Sequence, residues 1–196
     1  MSSKVVIVGV GALGSHVVQF LRNVDADMKV IDFDVVEMKN VASQFHAKNS
    51  VRKKKVQGLK QTMQFLFGKK LDVVSNKLTA DNVEQLLSSA DLVIDCLDNA
   101  ESRTLVQKYC RESPQYAGIP CLHGALDAEG SFGRVVWSEK FAIDQEGAEG
   151  QATCEDGEFL PFIAVTAAYV ARSAQQYLEK DRKVSYQITP AGVVTL

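Results

Sequence analysis

Apolar runs and segments of helical spacing alternate along the chain. Apolar runs rich in β-branched residues predict strands over residues 4–9, 28–32, 71–75 and 90–97. Apolar residues spaced three or four apart predict helices over residues 14–23, 54–67, 79–88, 100–112 and 159–178. Strands that alternate with helices form a mostly parallel sheet, so we expect an α/β fold with helices on both faces.

The pattern changes in the second half of the chain. Two further strands are predicted over residues 120–126 and 132–137, joined by the polar turn 127–130. Such close spacing is typical of a hairpin, so we expect an antiparallel edge hairpin on the otherwise parallel sheet. Residues 183–196 are strand-like but are broken by Pro190 and Gly192.

Composition narrows the class of protein. The 196 residues are 46% hydrophobic and 23% charged, with a net charge of -2, which suits one globular domain over residues 1–196. This balance gives no reason to expect binding to nucleic acid or to a membrane. The short apolar run after the start lacks the layout of a signal peptide, so we expect a cytoplasmic protein. The four cysteines form no C-x-x-C pair, which argues against a zinc site of that kind.

A glycine-rich turn follows the first predicted strand. Gly9, Gly11 and Gly14 fit the pattern G-x-G-x-x-G between a strand and a helix, as in Rossmann-like folds. Glycine permits the tight turn and the close approach of phosphate, and the helix N-terminus presents free N–H groups to it. Asp32 follows the second strand, where ribose hydroxyls would lie. The turn alone fits ATP and a dinucleotide equally well.

Further polar residues favour ATP with magnesium. Asp34 follows the second strand, and Asp98 and Asn99 follow the fourth. Residues beyond the carboxyl ends of parallel strands line the ligand crevice, so we expect these side chains to converge with Asp32. Carboxylates beside phosphates favour ATP with Mg²⁺ over NAD as the ligand, because Mg²⁺ needs carboxylate oxygens.

At this point the sequence resembles the ubiquitin-activating-enzyme-like family, the ThiF/MoeB/HesA adenylyltransferases. The resemblance covers roughly residues 4–178 and rests on the blocks GVGALGS, DFDVVEMKN, ADLVIDCLDNAESR and IPCLHGALDAEGSFGRV. It implies ATP-dependent adenylation of the C-terminal glycine of a ubiquitin-like or sulfur-carrier protein that ends in Gly-Gly, with release of pyrophosphate. It also implies a homodimer or a heterodimer.

The resemblance assigns roles to individual residues. The nucleotide site it implies consists of Gly9, Gly11, Gly14, Asp32, Asp34, Asn40, Lys55 and Asn99. Asp34 and Asn40 would organise the loop beneath the phosphates. Lys55 falls where the family keeps a phosphate-binding lysine, and Asp98 would hold Mg²⁺, so both are expected to act in catalysis.

Cys154 is a third catalytic candidate. It lies in a segment rich in glycine and acidic residues, residues 144–157, just before the longest predicted helix. Some family members carry a cysteine there that forms a thioester or persulfide with the carrier. A nearby helix N-terminus lowers the pKa of a thiol, whereas Glu155 and Asp156 raise it. An exposed thiol without a role therefore stays the alternative.

Three departures from the family pattern keep other functions open. Ser43 stands where the family usually has a phosphate-contacting arginine. Residues 1–3 are too short for the helix that often precedes the first strand, and the two zinc-binding C-x-x-C pairs of many members are missing. The alternatives are a catalytically impaired member that acts as a binding or heterodimer subunit, and an NAD-binding oxidoreductase domain. Among the histidines, His16 and His46 are weak candidates for phosphate contact, and His123 is expected to pack within a strand.

Overall fold

The computed structural model describes residues 2–112, 118–142 and 157–196. Its strands form one sheet in the order β3-β2-β1-β4-β5-β6-β7-β8. In chain order they are β1 (Ser3–Val8), β2 (Ala26–Ile31), β3 (Leu71–Val74), β4 (Leu92–Asp95), β5 (Cys121–Leu126), β6 (Gly133–Trp137), β7 (Tyr186–Thr189) and β8 (Gly192–Thr195). The first five pair in parallel and the last three are antiparallel, which confirms the predicted α/β sheet with an antiparallel edge.

Helices cover both faces of the sheet, as the sequence predicts. They are α1 (Ala12–Phe20), α2 (Lys55–Phe67), α3 (Val83–Leu87), α4 (Ala100–Glu112) and α5 (Leu160–Lys180). Strand β1 is buried on both sides because its side chains alternate between two cores. Ile7 packs in the core beneath α1, α2 and α5, whereas Val8 packs in the core beneath α3 and α4. Among the described residues, no helix combines the length and the apolar content needed to cross a membrane.

Strands β1, β2 and β4 end level with one another. Val8 of β1 pairs with Ile31 of β2 and with Asp95 of β4. The residues that follow each of these strands therefore meet at a single edge. This register brings the glycine turn, Asp32 and Asp98 to the same end of the sheet.

Several predicted elements have different limits in the structure, among them the helix expected over residues 14–23, which is Ala12–Phe20. The helix expected over residues 79–88 begins only at Val83, because the Asn82 side chain accepts the Thr79 N–H and closes a turn before it. Asn82 is therefore the residue that precedes the first turn of this helix. The strand expected over residues 90–97 is only Leu92–Asp95. The last residues of the chain form β7 and β8, which extend the antiparallel edge beyond the predicted hairpin.

The segment between β2 and α2 is a loop with two short 3-10 helices, Met38–Ala42 and Lys48–Ser50. A third 3-10 helix, Ser138–Lys140, follows β6. The first two connect the carboxyl end of β2 to the start of α2, beside the glycine turn.

Candidate functional site

The three glycines of the turn have different structural roles. Gly9 has a φ of 85°, and a Cβ built on it would lie 2.9 Å from the Cys96 carbonyl oxygen. A Cβ on Gly14 would lie 1.9 Å from the Gly9 carbonyl oxygen, so only glycine lets α1 approach the turn. A Cβ on Gly11 meets no heavy atom within 4 Å. The turn is therefore tight at Gly9 and Gly14 and open at Gly11, which leaves room for a phosphate.

Helix α1 starts directly at this open position. Gly11 precedes Ala12 and supplies no side-chain cap to the first N–H groups of the helix. Uncapped N–H groups carry partial positive charge and bind anions. The backbone of this turn thus matches the electrostatic needs of a phosphate.

Asp32 is tied to the turn by backbone hydrogen bonds. Its Oδ2 accepts the Val10 N–H at 2.8 Å and its Oδ1 accepts the Asp34 N–H at 2.8 Å. Burial raises the pKa of Asp32 above its ordinary value, while Lys55 and the two N–H donors oppose the rise. Each carboxylate oxygen keeps a lone pair with which to accept a hydroxyl proton.

Lys55 is the first residue of α2 and forms an ion pair with Asp34. Its Nζ lies 2.9 Å from Asp34 Oδ2, and its backbone N–H donates to the Asp34 carbonyl oxygen. The side chain of Lys55 is 10% exposed, whereas that of Asp34 is 47% exposed. An isolated β-bridge between Val35 and Lys54 holds the two segments together. These two neighbouring backbone contacts therefore hold the ammonium group of Lys55 near the carboxyl end of β2.

The side chain of Asn40 orders the loop by accepting a hydrogen bond from the loop backbone. Its Oδ1 accepts the Glu37 N–H at 2.8 Å, and the Glu37 side chain accepts the Asn40 N–H in return. This reciprocal pair caps the 3-10 helix Met38–Ala42. The side chain of Asn40 thus contacts the loop backbone in the described structure.

Ser43 supplies no positive charge to the site. The residue is 1% exposed, and its carbonyl oxygen accepts a hydrogen bond from His16 Nε2 at 3.1 Å. His16, a weak candidate for phosphate contact, thus binds the loop backbone in the described structure. Phe45 N–H also donates to Ser15 Oγ, so residues 43–45 are fastened to the first turn of α1.

His46 is buried against the glycine turn. Its Nε2 donates to the Val10 carbonyl oxygen at 2.9 Å, so the neutral ring keeps a bare acceptor at Nδ1. Among the described residues, neither His46 Nδ1 nor Gln44 Oε1 has a hydrogen-bond partner. Burial lowers the pKa of His46 to about 4, and nearby Lys55 adds to the effect. The turn is thus backed by buried acceptors that stay uncharged at neutral pH.

Asp98 and Asn99 lie just beyond the carboxyl end of β4. Asn99 Oδ1 accepts the Ser102 N–H at 2.9 Å and thereby orders the start of α4. Asp98 is exposed, and its Oδ1 lies 3.5 Å from Asn99 Nδ2. The described part of the chain holds no cluster of three or more His, Cys, Asp or Glu side chains. Magnesium bound with ATP needs only one or two carboxylates because phosphates and water complete its shell, so the exposed Asp98 carboxylate fits this ion.

A buried polar cluster beneath this turn is absent from the sequence-based site. Asp95 at the end of β4 meets Arg103 of α4 and His123 of β5. Arg103 does not face the phosphate position: its Nε donates to the Leu97 carbonyl oxygen and its Nη2 to that of Gly124, each at 2.6 Å. One local feature of the sequence pointed to this cluster. Asp95 is a carboxylate inside an apolar strand, and a buried charge needs a charged or hydrogen-bonding partner.

Cys154 lies outside the described residues, so its expected catalytic role stays a prediction. The described cysteines Cys110 and Cys121 are buried, and Cys96 is partly buried. Burial raises the pKa of the Cys96 and Cys121 thiols well above the ordinary range, so these two are poor nucleophiles.

The strand order and the glycine turn define the class: a Rossmann-type α/β fold with an open glycine turn at the carboxyl ends of its parallel strands. Solved structures share this fold. Escherichia coli MccB with ATP superposes with a TM-score of 0.74 over 99% of this chain and 63% of MccB, at 17% identity. MccB with MccA-N7isoASN gives a TM-score of 0.77 over 99% of this chain and 63% of MccB, at 18% identity.

The model of the ThiF family matches residues 1–190, and the chain belongs to the ThiF family. Relatives include the SAMP-activating enzyme E1 of Haloferax volcanii, 34% identical over 64% of this chain and 46% of that enzyme. The molybdopterin-synthase adenylyltransferase of Escherichia coli is 27% identical over 90% of this chain and 73% of the enzyme. The sulfur carrier protein ThiS adenylyltransferase of Bacillus subtilis is 30% identical over 67% of this chain and 39% of the enzyme. The chain thus spans about half the length of the Haloferax relative.

Proposed function

We propose that this protein uses ATP to adenylate the C-terminal carboxylate of a ubiquitin-like or sulfur-carrier protein that ends in Gly-Gly. The observation that carries the proposal is the shared register of β1, β2 and β4. It gathers the open glycine turn, the Asp34–Lys55 pair and Asp98 at one edge of the sheet in a ThiF-family chain. Family membership favours ATP over NAD as the nucleotide.

Each part of the site has a task in holding ATP. The N–H groups at the start of α1 bind phosphate oxygens at the open face of Gly11. Asp32 accepts a ribose hydroxyl while its two backbone donors keep its carboxylate in place. Lys55 donates to a phosphate oxygen from the position in which Asp34 holds its ammonium group.

Asp98 and Asn99 serve the phosphate side of the site. Magnesium bound beside Asp98 supplies charge neutralisation to the triphosphate. Asn99 fixes the start of α4 and so keeps the Asp98 turn at the mouth of the cradle. One carboxylate from the chain is sufficient for this task.

The reaction is a displacement at the α-phosphorus of ATP. A carboxylate oxygen of the carrier's last glycine forms a new bond to that phosphorus, and the bond to the bridging oxygen of the β-phosphate breaks. Pyrophosphate leaves with the electron pair, and the products are a mixed anhydride of the carrier with AMP and free pyrophosphate. Positive groups that touch the phosphates, Lys55 among them, stabilise the charge that shifts onto the leaving group.

The proposed partner follows from the relatives. They are named SAMP-activating enzyme E1, molybdopterin-synthase adenylyltransferase and sulfur carrier protein ThiS adenylyltransferase, and one solved structure contains MccB with MccA. We propose that the chain works as a homodimer or heterodimer.

A second candidate function is that of a binding subunit with an impaired site. Ser43 favours it, because this buried residue brings no guanidinium to the phosphates. Loss of a phosphate-contacting arginine costs about a thousandfold or more in rate in enzymes that rely on one. Such a subunit would bind ATP and become active only beside a complete partner.

Exchange of labelled pyrophosphate into ATP tests the proposal. The protein is incubated with Mg²⁺ and a carrier that ends in Gly-Gly, and with the same carrier lacking its last two glycines as control. Exchange that occurs with the intact carrier but not with the truncated carrier supports adenylation. ATP binding without exchange supports the binding subunit, and absence of both contradicts the two candidates.

A further inference from the structure

Among the described residues, an extended buried polar network lies under the turn that carries Asp98. Asp95 and His123 have no exposed surface. His123 Nδ1 donates to Asp95 Oδ2 at 2.7 Å, and Arg103 Nη1 lies 3.7 Å from the same oxygen. Phe141 stacks against the His123 ring with centroids 4.2 Å apart and planes 4° from parallel. The histidine ring is therefore held in one orientation.

The network includes a serine but is not a hydrolytic triad. His123 Nε2 lies 3.3 Å from Ser138 Oγ, which completes an Asp-His-Ser sequence of contacts. His123 has no exposed surface and Ser138 is 5% exposed, so no substrate carbonyl reaches the hydroxyl. The contacts among Asp95, His123 and Ser138 are therefore structural rather than hydrolytic.

What the network holds is the backbone of Leu97, the residue just before Asp98. Asp95 Oδ1 accepts the Leu97 N–H at 2.9 Å. Arg103 Nε donates to the Leu97 carbonyl oxygen at 2.6 Å. The N–H and the carbonyl oxygen of Leu97 are thus fixed by the side chains of Asp95 and Arg103, and these two side chains lie next to each other. Since Asp98 is the next residue, its Cα position follows from these two contacts.

We propose that Asp95 and His123 are positioning residues that set Asp98 for metal-assisted ATP binding; this role rests on the proposed function. His123 occupies one carboxylate oxygen of Asp95, which leaves the other aimed at the Leu97 N–H. Arg103 Nη1 lies near the same carboxylate and balances its negative charge. Partners one step removed from a metal ligand commonly change metal affinity by about 10- to 100-fold when removed.

The order of charges explains why Asp95 stays ionised in the interior. Burial alone would raise the pKa of Asp95, but Arg103, His123 and the Leu97 N–H together hold it below its ordinary value. Without the His123 donor, the carboxylate has a vacant acceptor and can rotate away from Leu97. The Asp98 turn then loses one of its two fixed points.

The test measures ATP affinity by calorimetry with Mg²⁺ and with EDTA, and takes the ratio of the two dissociation constants as the magnesium gain. In His123→Leu the affinity with EDTA should stay within about twofold, while the gain falls about tenfold or more. His123→Asn places an amide N–H where Nδ1 lies and should recover most of the gain. Leu122→Val, on the opposite face of the same strand, is the packing control and should keep it.

Two further variants fix the interpretation. Asp95→Asn keeps the volume of the side chain and should also lose the gain, which covers the case in which His123→Leu does not fold. In a protein that already carries Asp98→Ala, the added His123→Leu change should not lower the magnesium gain further, because both changes act through the Asp98 carboxylate. A wild-type protein without a magnesium gain would overturn the proposed function and this role with it. A wild-type gain that survives in a folded His123→Leu or Asp95→Asn protein, or losses that add in the double variant, would overturn this role alone.

Discussion

Lys55 and Asp34 form an ion pair in which Nζ and Oδ2 are 2.9 Å apart, with the lysine buried and the aspartate half exposed. The pair holds the ammonium group of Lys55 near the carboxyl end of β2 before ATP binds. Lysine side chains have high conformational entropy, so a fixed ammonium group costs less to order when ATP binds.

Replacement of Lys55 by methionine should therefore impair the reaction far more than the fold. We expect pyrophosphate exchange to fall about a hundredfold or more, as when one donor to a transition-state oxyanion is removed. Lys53→Met is the matched control, because Lys53 is exposed and bonds Gln61 instead. Equal exchange rates in the two variants would contradict the role of Lys55.

The two glycines Gly11 and Gly14 should respond differently to the same added methyl group. In Gly11→Ala the methyl meets open space, so the melting temperature should hold while ATP affinity falls about tenfold or more through a clash with phosphate. In Gly14→Ala the methyl overlaps the Gly9 carbonyl oxygen, and a loss of about 1–3 kcal/mol of stability is expected. Thermal unfolding and ATP titration of both variants check this. A Gly11→Ala protein with unchanged ATP affinity would show that phosphate binds elsewhere.

Acid should destabilise the protein through His46. The pKa of His46 is about 4 in the folded state, chiefly because of burial, and about 6.5 in an unfolded chain. The unfolded state therefore binds more protons between these values, and stability falls as the pH drops through this window. At pH 4.5 the expected loss from this residue is roughly 2–3 kcal/mol relative to pH 7.

Denaturant unfolding of wild type and His46→Gln at pH 7 and pH 4.5 measures this loss. Glutamine keeps an N–H donor for the Val10 carbonyl oxygen and does not titrate, so its loss between the two pH values should be smaller by that amount. His16, whose pKa is also lowered chiefly by burial, contributes equally to both proteins. The same loss in both would contradict the buried, neutral state of His46.

Local sequence pattern predicted most of the sheet and helices because buried parallel strands read as continuous apolar runs. It missed the late start of α3, where the Asn82 side chain closes a turn in place of the first helical turn. It also placed the glycine turn, Asp32, Asp34 and Asp98 at one edge, since strand register follows from a parallel sheet.

Contacts between distant residues account for what the sequence did not predict. Asp95 and His123 are 28 positions apart, and no spacing rule joins them. Likewise, nothing local separates Gly11 from Gly14; only the packing of α1 on Gly9 does. His46 looked like a loop residue because its burial depends on Val10, 36 positions earlier.

The central claim is that the chain joins AMP to the C-terminus of a carrier protein. Mass spectrometry of a Gly-Gly carrier incubated briefly with the protein, ATP and Mg²⁺ tests it most directly. We predict a carrier heavier by one adenylyl group, which forms with wild type and is lost on treatment with hydroxylamine, as expected for a mixed anhydride. An unmodified carrier, under conditions in which the protein binds ATP, would contradict the account.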